Sequence, residues 1–267
     1  MKKAYVLGSN VKKSLSPLIF EYWFAQNKVA GEYLSKEIEP KNFKEEIKKI
    51  LEEEGVCGFN VTMPFKETII KKMDEVDEHS KKIGAVNFVS KVGDKWVGKN
   101  TDWTGFSKTI NVKGNALKKK VAVVIGYGGS SKAIIYALKK ENFEKIKVFN
   151  RTEEKICHLE KESGVTPTSL EHLKEHLFEA DLIVNTTPVN PLKPLLIQKE
   201  IKDSLAFDVV YSPQETDFLS HFVREKRLYG ISMLIYQAVP CFEEWFGVRP
   251  VVDCGLISLL QDHIKQC

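Results

Sequence analysis

The stretch "VAVVIGYGGSSKAIIYALKK", Val121 to Lys140, constrains the fold of this chain more than any other. An uninterrupted apolar run rich in valine reads as a strand buried on both faces, a glycine turn ends it, and a helical pattern follows at once. The strand "IKVFN", a helix over Glu153–Glu162 and the strands "DLIVNTT" and "LAFDVV" come next in order. Strands alternating with helices in this way predict a doubly wound parallel sheet.

Upstream the alternation has another rhythm. A strand at Ala4–Leu7, a helix from about Ser16, a strand near Tyr33–Ile38 and a helix over Asn42–Glu54 precede a strand at Val56–Val61 and a helix opening near Pro64. Phe43, Ile47, Ile50 and Leu51 recur at helical spacing among lysines and glutamates, which is one buried stripe and one solvated face. "NFVSKVGDKWVG" alternates about Gly93-Asp94, a hairpin turn pair, and predicts an antiparallel edge on a largely parallel sheet. A domain boundary is expected near Asp102, where helix Thr104–Ile110 leads through "KGNALKKK" into the strand at Val121. The apolar C-terminal helices, "MLIYQAVPCFEEWFG" and "GLISLLQDHI", need a partner surface, and the first domain is the candidate.

Composition narrows the chemistry. The 267 residues are 43% hydrophobic and 28% charged, enough to bury two cores. The 40 basic residues are interspersed with 36 acidic ones, so no basic stripe points to nucleic acid or an anionic membrane, and a small-molecule partner is expected. The five cysteines, Cys57, Cys157, Cys241, Cys254 and Cys267, are widely spaced without C-x-x-C pairing; this fits reduced thiols in a cytoplasmic protein and no metal site. No segment reaches the length of a bilayer span, and Ala4–Leu7 is too short for the apolar core of a signal peptide.

The glycine turn "GYGGSSKA", Gly126 to Ala133, sits where glycines let backbone approach a pyrophosphate and a helix N-terminus offers free N–H groups. It departs from G-x-G-x-x-G at Ser131, and a tight strand-to-helix turn without a ligand is the competing reading. After the next strand the chain carries Asn150 and Arg151 in place of an acidic residue; a guanidinium there suits a 2′-phosphate, although Glu153 and Glu154 are close enough in sequence to pair with it. Three more loops gather polar groups: Ser14 and Ser16, Asn87, and Thr101 with Asp102. Each has a local use as helix cap or turn former, and Lys66 after Pro64 reads equally as an exposed charge in a first helical turn.

Taken in order, "SLSP", "NVTMPFKE", "GAVN", "NTDWTGF", "GYGGSSKA", "NRTEEK", "VNTTP", "DVVYSPQET" and "GISMLIYQAVPCFEEWFG" resemble the motifs of the NADP-dependent shikimate dehydrogenase family over nearly the whole chain. The resemblance implies an α/β fold with a mixed substrate domain at 1–102, completed by helices at 231–267, and a Rossmann-like NADP-binding domain at 103–230. It implies an active site in the cleft between them and NADPH-dependent reduction of 3-dehydroshikimate to shikimate. It places the substrate carboxylate near Ser14, Ser16 and Tyr211, and the ring hydroxyls near Thr62, Asn87, Asp102 and Gln237. Lys66 is then the acid/base group and Asp102 its orienting partner.

The cofactor pyrophosphate falls to Gly126, Tyr127, Gly128, Gly129 and Ser130, and the adenosine phosphate to Asn150, Arg151, Thr152 and Lys155. The nicotinamide half falls to Val209 and Gly230 with Met233 nearby, and Glu78 matches a further cofactor contact. Asn10 and Lys13, and Asn190 and Pro191, stand where the family carries other residues. Two alternatives share the motifs: a quinate-acting relative using NAD, against which Arg151 speaks, and a non-catalytic metabolite binder, against which Lys66, Asp102, Asn87 and the glycine turn speak. A monomer or a homodimer is expected.

Overall fold

In a computed structural model of the chain, residues 1–112, 117–197 and 200–266 are described. The linker expected in "KGNALKKK" lies partly outside them, as does Cys267. The chain divides into two compact units, Met1–Asp102 with Gln237–Cys267, and Trp103–Tyr236.

The first unit is built on a six-stranded sheet of β1 (Lys2–Gly8), β2 (Gly31–Glu37), β3 (Val56–Val61), β4 (Glu75–Val76), β5 (Phe88–Val92) and β6 (Lys95–Lys99), in the order β2-β1-β3-β5-β6-β4. β5 runs antiparallel to both neighbours, and β4 pairs parallel with β6. The hairpin about Gly93-Asp94 is therefore inside the sheet, not an edge, because the two-residue β4 covers β6. Side chains alternate across the pleat. Tyr5, Leu7, Phe59 and Val61 join a core with Ile47 and Ile50 of helix α2 (Phe43–Glu52), each fully buried isoleucine stabilising by about 1.5–3 kcal/mol.

On the other face, helix α1 (Ser16–Asn27) packs beneath an aromatic cluster in which Phe20 stacks on Tyr33 at 3.8 Å and Trp23 meets Phe242 at 5.5 Å. Phe242 and Trp245 belong to α7 (Gly230–Phe246), and the Trp245 indole donates to the Val89 carbonyl at 3.1 Å. The last helix, α8 (Cys254–Gln266), is capped by Asp253, whose carboxylate accepts from Leu256 N at 2.9 Å and from the Tyr22 hydroxyl at 2.9 Å.

The helix expected near Pro64 is absent. The Met63–Pro64 peptide is cis, and turns follow until a 3₁₀ segment at Ile69–Lys72. The Lys66 carbonyl, which in an α-helix would accept from Ile70, instead accepts Val86 N–H at 2.7 Å. A short helix, α3 (Glu78–Ile83), begins later, with Asp77 as its N-cap, bonded to Ser80 N at 2.7 Å.

The second unit carries an all-parallel sheet of β7 (Val121–Ile125), β8 (Lys145–Asn150), β9 (Val165–Ser169), β10 (Leu182–Asn185), β11 (Leu205–Asp208) and β12 (Arg227–Tyr229). Its order, β9-β8-β7-β10-β11-β12, is the doubly wound 3-2-1-4-5-6 arrangement, with the switch point between β7 and β10. Both faces are buried: Ala122, Val124 and Val148 meet Phe106 of α4 (Asp102–Asn111) and Ile134 of α5 (Gly129–Lys140), while Val123, Ile125 and Phe149 meet Leu173 of α6 (Leu173–His176) and Phe218. The helix expected over Glu153–Glu162 is instead two 3₁₀ pieces, Glu153–Lys155 and Cys157–Lys161. Its buried anchors, Ile156 and Leu159, are three residues apart, a spacing that suits three residues per turn.

Candidate active site

Lys66, Asn87, Asp102 and Gln237 come from four separate stretches of the first unit and meet in one hydrogen-bonded network. Phe65 anchors the lysine's segment by burying its ring, stacked on Phe43 at 4.3 Å, and the bond from Val86 to the Lys66 carbonyl fixes the next residue. "GAVN" and "KNTD" are laced together alongside: Asn87 N donates to Lys99 O at 3.1 Å, and Asn100 Nδ2 to Ala85 O at 2.9 Å. Asn100 Oδ1 accepts Asp102 N–H at 3.0 Å, a local Asx-type turn at the start of α4. Asp102 therefore need not cap its own helix.

The Lys66 ammonium donates to Asp102 Oδ2 at 2.6 Å, with side chains 12% and 7% exposed. Asn87 Nδ2 donates to Asp102 Oδ1 at 2.8 Å and to Gln237 Oε1 at 3.3 Å, while Asn87 Oδ1 accepts Thr101 N–H at 2.7 Å. A carboxylate accepts only and a backbone N–H donates only, so these partners fix which way the Asn87 amide lies. Taking two charges out of water costs several kcal/mol, and a paired, hydrogen-bonded arrangement of this kind offsets it. Chemically it is an ammonium poised beside a carboxylate, able to give a proton to an oxygen acquiring charge.

Sequence reading missed part of this network. Asn60 is buried on β3, donating to Asn87 O at 3.1 Å and to Cys241 Sγ at 3.3 Å, and accepting from the Tyr33 hydroxyl at 2.8 Å. Burial pushes the Cys241 thiol up to about 12, despite hydrogen bonds with Asn60 and Thr101, so it stays neutral and donates to Gln237 O at 3.3 Å. A polar residue inside an apolar strand run, as in "GFNV", was the available signal.

Ser14 and Ser16 lie together at the start of α1, where Ser14 Oγ accepts Ser16 N–H at 3.2 Å. Ser16 itself is the first helical residue, so the N-cap position falls to Leu15, which makes no side-chain cap bond. Thr62 is half-buried directly after β3, its N–H bonded to Leu7 O at 2.8 Å. Glu78 is in the first turn of α3, paired with Lys81 of the same helix at 3.4 Å.

The remaining predicted residues belong to the second unit. Gly126 has φ +98°, and a Cβ there would stand 2.6 Å from Thr186 Oγ1, so the turn requires glycine. At Gly128 the backbone is extended and a Cβ would meet nothing within 4 Å, leaving open space at the start of α5. Gly128 N–H donates to Ser131 Oγ at 3.1 Å. Thr186 Oγ1 donates to Ile125 O at 2.7 Å, so in the 2.6 Å contact between the two hydroxyls Ser131 is the donor. Ser131 thus braces the turn in the place of the usual third glycine.

Asn150 Nδ2 donates to Thr152 O at 2.8 Å, shaping the loop after β8, on which Arg151 and Lys155 are exposed. Among the described residues no ion pair joins Arg151 to Glu153 or Glu154. An open helix N-terminus at the switch point and two exposed cations at the end of the next strand fit the pyrophosphate and the second phosphate of a dinucleotide. Tyr211 and Val209 follow β11. Gly230 opens α7 where a Cβ would be 2.6 Å from Asp208 O, so close packing explains this glycine. Met233 lies in the core of this unit. Asp208 is buried below these residues, and burial raises its pKa against hydrogen bonds from Thr216, Val210 and Asn185. Among the described residues no group of acidic, histidine or cysteine side chains has the arrangement of a metal site, and no helix is long and apolar enough to cross a membrane.

Comparison with known proteins agrees with the motifs. Residues 6–89 match the family model of the shikimate dehydrogenase substrate binding domain, and residues 108–208 that of shikimate / quinate 5-dehydrogenase. The NADP(+) shikimate dehydrogenase of Bartonella henselae is 36% identical over 97% of this chain and 93% of its own length. The shikimate dehydrogenase structure from Aquifex aeolicus superposes with a TM-score of 0.85 at 33% identity, covering 100% of this chain and 98% of that one. The Thermus thermophilus enzyme, crystallised in complex with NADP(H) and shikimate, gives 0.83 at 29% identity, covering 99% and 100%. With both domain models matched in order and relatives aligned over nearly their full lengths, the chain belongs to the shikimate dehydrogenase family.

Proposed function

We propose that the chain catalyses the reversible NADPH-dependent reduction of 3-dehydroshikimate to shikimate, on the route to chorismate and the aromatic amino acids. The observation that carries the reading is the 2.6 Å Lys66–Asp102 pair, tied through Asn87 to Gln237. Bound NADPH supplies the hydride that forms the new C–H bond. As the ketone oxygen gains charge, Lys66 gives it the proton that forms the O–H bond, and in the reverse direction the lysine takes that proton back. Asp102 holds the lysine side chain and accepts from the substrate hydroxyl beside it, while Asn87, Thr62 and Gln237 orient the ring through hydroxyl and amide bonds. A site built to bond hydroxyls rejects analogues lacking them.

Ser14 and Ser16 take the substrate carboxylate, joined by Tyr211, which enters on family resemblance alone, as does Glu78 for the cofactor. The N-terminus of α5, with Gly126, Tyr127, Gly128, Gly129 and Ser130, takes the pyrophosphate. Asn150, Arg151, Thr152 and Lys155 take the 2′-phosphate, and Val209 and Gly230 flank the nicotinamide. We place the protein in the cytoplasm as a monomer or homodimer, which light scattering distinguishes. Lys66→Ala tests the central assignment: turnover should drop by about two or more orders of magnitude in a protein with wild-type circular dichroism. Near-normal turnover in that folded variant removes Lys66 from the mechanism.

A further inference from the structure

The loop that carries Arg151 and Lys155 is tied to the glycine turn at both ends. At its near end Gly126 N–H donates to Phe149 O at 2.7 Å, extending the β7–β8 ladder by one bond. At its far end the Tyr127 hydroxyl meets His158 Nε2 at 2.9 Å, with the rings 5.5 Å apart. Tyr127 is the residue between the two glycines, and its ring is half-buried against the core of the second unit. On α5 the Lys132 ammonium stands 5.3 Å from the centre of the same ring, a cation–π distance. His158 lies on the 3₁₀ piece Cys157–Lys161, directly beyond the two cations. The near tie is made by backbone alone and is available to any sequence. The far tie depends on these particular side chains.

We infer that Tyr127 and His158 form a positioning pair that sets the chain's preference for the 2′-phosphorylated cofactor, an inference that rests on the NADP reading above. The tie closes the Asn150–His158 loop against the glycine turn. Arg151 and Lys155 are thereby held in place relative to the pyrophosphate-binding helix before any ligand arrives. Without it the loop must be ordered on binding, and that conformational cost falls on ligands that use both phosphate sites. A ligand with the 5′-phosphate alone does not draw on Arg151 and Lys155 and escapes the cost.

Calorimetric titration of the full chain with 2′,5′-ADP and with 5′-AMP reads this directly. His158→Ala, at a residue outside the phosphate-binding set, should weaken 2′,5′-ADP by about three- to five-fold, the effect of one partly exposed hydrogen bond, and leave 5′-AMP within about two-fold; Tyr127→Phe should weaken 2′,5′-ADP by at least as much. The double variant should be no weaker than Tyr127→Phe alone, because both remove the same contact. His158→Gln, which keeps a polar group at the ring edge, should recover most of the loss. Equal weakening of both ligands by His158→Ala, additive effects in the double variant, or no change in either ligand overturns the inference. A wild-type protein with no preference for 2′,5′-ADP over 5′-AMP overturns the NADP reading itself and the pair's role with it. Wild-type preference retained by the variants defeats the pair alone.

Discussion

Asp102→Asn isolates what the carboxylate contributes, because it removes a charge at constant size. Both neighbours of the carboxylate are donors: Lys66 Nζ at 2.6 Å and Asn87 Nδ2 at 2.8 Å. Asn87 cannot turn over to compensate, since its Oδ1 is engaged by Thr101 N–H at 2.7 Å. An amide has one accepting end and one donating end. Whichever way the introduced amide lay, its NH₂ group would face either the lysine ammonium or the Asn87 amide nitrogen. Leaving one member of a buried charge pair uncompensated costs about 3–5 kcal/mol, and the lysine side chain is 12% exposed, which gives it some water and favours the lower end of that range. Urea unfolding should therefore show a loss of about 3 kcal/mol with an unchanged slope. Turnover with saturating substrate should fall by about a hundredfold or more, because Lys66 loses the group that orients it. The two readouts separate the roles. A stability loss with normal turnover makes the pair a structural brace only, and a variant within about 0.5 kcal/mol of wild type refutes the argument from donor geometry.

Three further outcomes follow from the second unit. Gly128→Val has an extended backbone and open space to occupy, so the melting temperature should change little while calorimetry shows cofactor binding weakened by at least about tenfold, as the branched side chain screens the N-terminus of α5. Arg151→Ala should lower affinity for NADP by about 10- to 100-fold and leave NAD nearly unchanged, since charge-assisted hydrogen bonds to a phosphate are worth about 1.5–3 kcal/mol; equal losses for both cofactors would place the guanidinium elsewhere. In acid, Glu179 is held below its ordinary value of 4.5 by hydrogen bonds from Lys147 and His176. For Glu141, burial acts upward but the bonds from Lys119 and Asn111 outweigh it, so it too is lowered. Groups lowered on folding stabilise fully above the unfolded value and cease to as pH falls through the folded one, so urea midpoints should decline below about pH 4.5, and Lys147→Met should flatten that decline.

The glycine turn and its flanking strands were legible because every signal is local: an apolar run, three glycines within four residues and a helical pattern in direct succession. The α2 stripe was legible for the same reason. The active-site network was not readable from periodicity or spacing. Lys66 and Asp102 are 36 positions apart and Asn87 and Gln237 are 150 apart, and only the ordered series of family motifs linked them. Where local pattern failed, a distant bond had intervened. Pro64 looked like a helix opening, but Val86 takes the Lys66 carbonyl that a helix would have needed. β9 went unread because Pro167 and three hydroxyl residues fill it, which an edge strand tolerates. β12 is three residues long and β4 two, too short to show alternation.

The central claim is that this chain moves hydride between shikimate and NADP. Purified protein incubated with shikimate and NADP should generate NADPH, followed by its absorbance, at a rate well above that with quinate or with NAD. Binding of shikimate and NADP without any NADPH formation, in a protein with Lys66 and Asp102 intact, would contradict it.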